Sequence, residues 1–177
     1  MIKDSIEQTK LWLEKIVIDL SLCPFAAKVY YDNNIEFIPT DFTDIESSIH
    51  LLQKAITTIL NPNTNFTTSL VIYESGLETF EHYLDVFYAL EVTTLDPIMQ
   101  HKIQFASFHP DYQFESTQHS DIENYTNRSP FPLIHILRTD DVTAAIESHP
   151  DINSVPFQNI EKMKNMGLDK IKALFLG

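Results

Sequence analysis

Four short runs rich in β-branched and aromatic residues, at 35–38, 70–73, 103–108 and 133–137, punctuate a chain whose intervening segments mostly repeat at helical spacing. That alternation restricts the fold more than any bulk property. Strands separated by helices pair in parallel through right-handed crossovers, whereas two strands joined without a helix turn back on each other. Ile6, Thr9, Leu13, Ile16, Val17 and Leu20 form one helical face behind Asp4, which lies three residues before Glu7 as an N-terminal cap requires. Thr43 and Glu46 frame a capping box ahead of Ile45, Ile49, Leu52, Ile56 and Ile59, and Asn61 with Pro62 ends that helix. Ser75 and Glu78 frame another, ahead of Leu77, Phe80, Leu84 and Phe87, in a helix that runs to Asp96 and Pro97.

The order is α-β-α-β-α-β, a long connection, then β-α and a helical tail. The last strand follows no helix and is expected to return antiparallel. The last three runs are apolar on both faces, which calls for cover on each side of the sheet. The expected fold is α/β, with α+β as the alternative. It is a mixed, mainly parallel four-stranded sheet with helices on its faces and a long ordered loop over 109–130. Thr139, Asp140 and Asp141 open a short helix whose paired carboxylates suit its positive end, and Pro150 closes it. The tail from 157 to 175 reads as two short helices broken by a C-capping Gly167.

At 177 residues and 44% apolar composition, a single domain spanning 1–177 is expected, able to bury roughly 70% of its unfolded surface. Charge narrows the partners. With 12 basic and 25 acidic residues the net charge is −13, and the acidic groups are scattered, so the mean field repels phosphate backbones and anionic lipid. Neither nucleic acid nor a membrane surface is expected as a partner. No run approaches the ~18 apolar residues of a bilayer span, and the first ten residues lack a signal peptide's basic start and apolar core. One cysteine, Cys23, allows no internal disulfide, and three glycines allow no phosphate cradle. A cytoplasmic protein without an evident cofactor is the expectation; oligomeric state is not legible.

The stretch from His109 to Pro130 has no periodicity yet is crowded with polar and aromatic side chains. A loop of some twenty residues inside a compact domain is functional or disordered, and Tyr112, Phe114, Tyr125 and Phe131 demand packing surface that disorder would deny them. If the fourth strand returns antiparallel, His109 and Ser129 converge on the sheet edge where open α/β sheets bind ligands. The segments LCPFA at 22–26, ASFHPDYQF at 106–114, NYTNRSPFP at 124–132 and HILR at 135–138 together resemble an uncharacterised bacterial family, the domain of unknown function 1415. The resemblance implies that these blocks belong together and carries no activity.

The candidate residues follow from the polar stretch. Arg128 beside Asn127 suits a carboxylate or phosphate, with Ser129 and Asn124 as further ligand contacts; the alternative is an ion pair of Arg128 with Asp111 or Asp121. His109 oriented by the Asp111 carboxylate would serve as general base; the alternative is a turn capped by Asp111. His109, Asp111, His119, Asp121 and His135 could in principle ligate a metal, although no recognised spacing supports it, and His135 alternates with Leu133 and Leu137 as a core histidine would. Cys23 is acidified if it caps a new turn at Pro24 and inert if it ends the first helix. Tyr125 and Cys23 stand as secondary catalytic candidates, while Phe25, Tyr30 and Tyr31 read as core or pocket wall. The leading expectation is a small-molecule enzyme or enzyme-like pocket holding an anionic group, in which Arg128→Ala abolishes binding and leaves the melting temperature nearly unchanged. A non-catalytic binding or regulatory module and a metal-dependent hydrolase or oxygenase are the alternatives.

Overall fold

The computed structural model describes residues 4–148 and 151–176. Helix α1, Ser5–Trp12, starts where Asp4 accepts the N–H groups of Ile6 and Glu7. The expected single helix continues without a break to Ile18 but changes type, because Leu13–Ile18 forms a wider π-helical segment. Trp12, Leu13 and Ile16 all enter the core. A short α2, Ala26–Tyr31, was not expected; none of its residues is buried, so it has no apolar stripe to betray it.

Strand β1, Ile35–Asp41, is followed by α3, Ile45–Leu60. The cap of α3 is Asp44, one residue later than the expected Thr43, with its carboxylate accepting Ser47 N–H at 2.7 Å. Strand β2 is Thr68–Ser75 and α4 is Phe80–Thr94. The expected capping box at Ser75 and Glu78 is instead the end of β2 and a turn. Gly76 sits there at φ +90°, and a Cβ would lie 2.6 Å from the Phe42 carbonyl oxygen. The turn therefore needs glycine, and α4 starts only after Thr79.

Strands β3, Ile103–Phe108, and β4, Leu133–Arg138, complete an open sheet ordered β1-β2-β4-β3. β1 pairs with β2 in parallel, whereas β4 is antiparallel to both β2 and β3. The sheet is mixed but not mainly parallel, contrary to expectation. The first three strands do share one direction, but β4 inserts between β2 and β3 and converts their contact into two antiparallel ones. Burial accounts for the placement. Leu133, Ile134 and Ile136 are fully buried, so β4 belongs inside the sheet, while β3 carries the exposed Gln104 and takes an edge. Pro39, which has no N–H to give a ladder, is tolerated because β1 is the other edge.

Both faces are covered. Leu52, Ile56, Val71, Tyr83, Leu90 and Ile136 belong to the core beneath α3 and α4. Trp12, Ile16, Leu70, Ile72, Leu133 and Met163 belong to the opposite one, which α1 shares with α6, Val155–Met166, and α7, Leu168–Leu176. Gly167 separates these two helices at φ +83°, as a break there requires. Helix α5, Thr139–Ser148, opens on Asp140 and Asp141, and Arg138 pairs with Asp141. Its expected stop at Pro150 lies outside the described residues.

Candidate functional site

Strand β3 ends and β4 begins on the same register pair, Phe108 opposite Leu133, so the ends of the intervening segment are brought together. His109 N–H donates to the Asn127 carbonyl at 3.4 Å, closing the segment on itself. From there its polar groups turn inward. His109 is 0% exposed; its Nδ1 accepts the Asp111 N–H at 3.0 Å, so Nε2 carries the proton and donates to the Leu77 carbonyl at 3.0 Å. Both ring nitrogens are engaged, and burial holds the imidazole pKa below its usual value. The Asp111 carboxylate does not orient His109. It is exposed and faces His119 Nε2 at 3.3 Å.

Arg128 is 6% exposed and meets neither Asp111 nor Asp121. Its Nη2 donates to the His119 carbonyl at 2.7 Å and its Nε to the Tyr112 carbonyl at 3.3 Å. Its guanidinium lies 4.2 Å from the centre of the Tyr125 ring. The fork thus ties three turns of the segment together. Asn124, 0% exposed, does the same in miniature: Oδ1 accepts from Phe114 N–H and the Thr117 hydroxyl, and Nδ2 donates to the Gln118 carbonyl at 2.7 Å. The Ser129 hydroxyl donates to the Phe131 carbonyl, and Asn127 reaches the Ser107 carbonyl only at 3.5 Å. Asp121 accepts Gln118 N–H.

The surrounding elements clamp this segment from outside. The Trp12 indole donates to the Arg128 carbonyl at 2.9 Å, which fastens α1 to it. The Tyr83 hydroxyl donates to the Leu133 carbonyl at 2.7 Å and accepts Phe108 N–H at 3.2 Å, joining α4 to both strand ends. Tyr125, the secondary catalytic candidate, is buried against Phe175 of α7 with ring centres 5.8 Å apart. Neither Trp12 nor Tyr83 was singled out beforehand. A tryptophan or tyrosine inside an amphipathic helix looks like ordinary core, and only three-dimensional placement shows where its polar tip points.

Cys23 is exposed and takes part in none of these hydrogen bonds. The residues before it are held by α6, since Asn159 Nδ2 donates to the Leu22 carbonyl at 2.7 Å and Lys162 to that of Leu20. His135 is on β4, where its Nε2 donates to the Thr68 hydroxyl at 2.7 Å, and burial pushes its pKa down to about 4. Among the described residues, no three His, Cys, Asp or Glu side chains come together in a way that could hold a metal ion. No helix of the described residues is long and apolar enough to cross a membrane.

A family model described as protein of unknown function DUF1415 matches residues 4–173. The chain belongs to that family. The match runs from the N-cap of α1 into α7, so helices, sheet and the inward-turned segment form one family unit. No curated protein matches the chain, and neither does any solved structure.

A second feature lies on the opposite flank of the sheet. Lys10, Glu14, Tyr30, Tyr31, Asn33, Ile35, Phe37 and Phe66 line a groove of about 490 Å³ between α1, α2 and the edge strand β1. The Tyr30 hydroxyl donates to Glu14 Oε1 at 2.7 Å. Burial and that carboxylate raise the Tyr30 pKa to about 12, so it remains a neutral donor.

Proposed function

We propose that this protein is a non-catalytic binding or regulatory module in which the segment 109–132 is a structural girder. The observation that carries this reading is the state of Arg128. The guanidinium is buried, with Nε and Nη2 donating to backbone carbonyls of its own segment and the Tyr125 ring 4.2 Å away, and these contacts within the segment offset the cost of burying its charge. The His109 imidazole is engaged at both nitrogens in the same way. A general base must reach a substrate proton within hydrogen-bond distance; reaching either nitrogen here would mean breaking a bond that holds the segment.

Amide hydrogen exchange tests the girder directly. The N–H groups of His109, Phe114 and Asn124, each hydrogen-bonded inside the segment, should be protected to a degree comparable with β3 and β4. Exchange several orders of magnitude faster than in those strands would mark a mobile lid and overturn the reading.

One observation favours the enzyme-like alternative, with an anionic ligand. The Asp111 and His119 side chains form an exposed carboxylate–imidazole pair at the rim of the segment, and such a pair can move a proton. On that reading Asp111→Asn removes turnover of the substrate and leaves the melting temperature unchanged.

A further inference from the structure

If the segment 109–132 is scaffold, ligand contact falls to another surface, and the groove beside α1 has the composition of a site. Its volume, about 490 Å³, lies in the range of roughly 300–1,000 Å³ typical of small-molecule pockets. The rings of Tyr30, Tyr31, Phe37 and Phe66 make a bed for a flat apolar body, with Tyr30 and Tyr31 set edge to face at 5.4 Å. Tyr31 is 64% exposed, so its ring is open to contact from solvent.

Two opposite charges stand over that bed. Lys10 of α1 and Glu14 of the π-helical segment that follows it both line the groove, yet they form no ion pair with each other. Lys10 Nζ sits 5.3 Å from the centre of the Phe37 ring and has no carboxylate partner among the described residues. Glu14 accepts the Tyr30 hydroxyl on Oε1, which holds the carboxylate in place and leaves Oε2 available. Asn33 adds a carboxamide at the rim, held at φ +56°.

We propose that this groove binds a small zwitterion with a flat apolar body, of which a free aromatic amino acid is the simplest member. Its carboxylate would meet Lys10, its ammonium Glu14, and its ring the aromatic bed. The other charge types fit less well. A simple anion meets Glu14 and the repulsion of a chain carrying net charge −13. A simple cation meets Lys10. A neutral apolar compound would desolvate both charges and compensate neither. Only a ligand with two poles satisfies the pair without a long-range penalty.

The proposal rests on the girder reading, and the two can fail separately. L-phenylalanine, phenethylamine and 3-phenylpropionate are titrated against the intact protein, with amide chemical shifts as readout. L-phenylalanine should shift the amides of Lys10, Tyr31 and Phe37, and loss of either pole of the ligand should weaken binding about tenfold or more, a change worth about 1.4 kcal/mol per decade. Lys10→Met and Glu14→Gln should each weaken L-phenylalanine binding by a similar factor, and the ligand series on the unaltered protein keeps the test valid should either variant fold poorly. No shift up to about 10 mM ligand, well above the millimolar affinities of weak sites, overturns the assignment. So does binding of phenethylamine or 3-phenylpropionate as tight as that of L-phenylalanine. Binding at the groove combined with fast exchange in 109–132 would leave the site standing and remove the girder.

Discussion

Arg128→Ala separates a structural guanidinium from a ligand-binding one. The substitution deletes a 2.7 Å bond to the His119 carbonyl, a weaker 3.3 Å bond to the Tyr112 carbonyl and a stacking contact 4.2 Å above Tyr125. A hydrogen bond from a charged donor contributes about 1.5–3 kcal/mol, and a desolvated cation–π contact about 1–2 kcal/mol. Counting the long bond at half weight gives a gross loss of about 3–6 kcal/mol. Removing the cost of burying the charge recovers part of it, so about 3 kcal/mol net is expected. For a chain of this length each kcal/mol lowers the melting temperature by about 2–4 °C, which predicts a fall of about 6–12 °C. Trp12 reports the local change because it is the one tryptophan of the sequence and its indole bonds the Arg128 carbonyl. Its emission should shift to the red in native buffer as the segment loosens. Arg128→Lys keeps the charge but loses the fork, and should recover less than half of the stability. A melting temperature within about 1 °C of the unaltered protein, with Trp12 emission unmoved, would refute the reasoning and return Arg128 to ligand binding.

Two further outcomes follow from polar side chains turned into the fold. His135 is held neutral with its pKa near 4, against an ordinary 6.5, and burial lowers that of His109 as well. Below about 6.5 the unfolded chain takes up protons that the folded one refuses. Stability present above that pH is therefore lost as pH falls toward 4, by about 3 kcal/mol from His135 alone; urea midpoints at pH 7 and 4.5 measure it, and His135→Gln should flatten the difference. Tyr83→Phe deletes the donor to the Leu133 carbonyl and the acceptor for Phe108 N–H. It should cost about 1–3 kcal/mol in chemical denaturation, with the paired ends of β3 and β4 at Phe108 and Leu133 losing exchange protection first.

The sequence carried the helices and strands well wherever one period dominated. The α3 face of Leu52, Ile56 and Ile59 and the caps at Asp4 and near Asp44 are local features, and local chemistry determines them. The position of β4 was not legible, because its runs of buried residues say that it is central without saying between which neighbours. α2 left no trace for want of a buried face. For the polar segment, the chain order showed that its two ends meet, but not where the side chains point. His109 next to Asp111 reads as an oriented base in sequence, yet the backbone turn at Pro110 hands His109 the N–H of Asp111 and sends its carboxylate outward. The groove escaped notice because Lys10 and Glu14 are polar positions in a segment that reads as an ordinary helix, and Phe37 and Phe66 are far apart in the chain. Tyr30 and Tyr31, read as either core or pocket wall, were its one visible part.

The central position of β4 sets an order on assembly. During synthesis the first three strands emerge before residue 133, but β3 has no neighbour to bond until β4 arrives to fill the slot beside β2. Until then β2, apolar on both sides, has an unsatisfied rim along its inner length, an invitation to pair with another nascent chain. Most of the sheet's cooperativity must therefore come late, with sequence-distant partners closing at once, and the protein should fold slowly for its size.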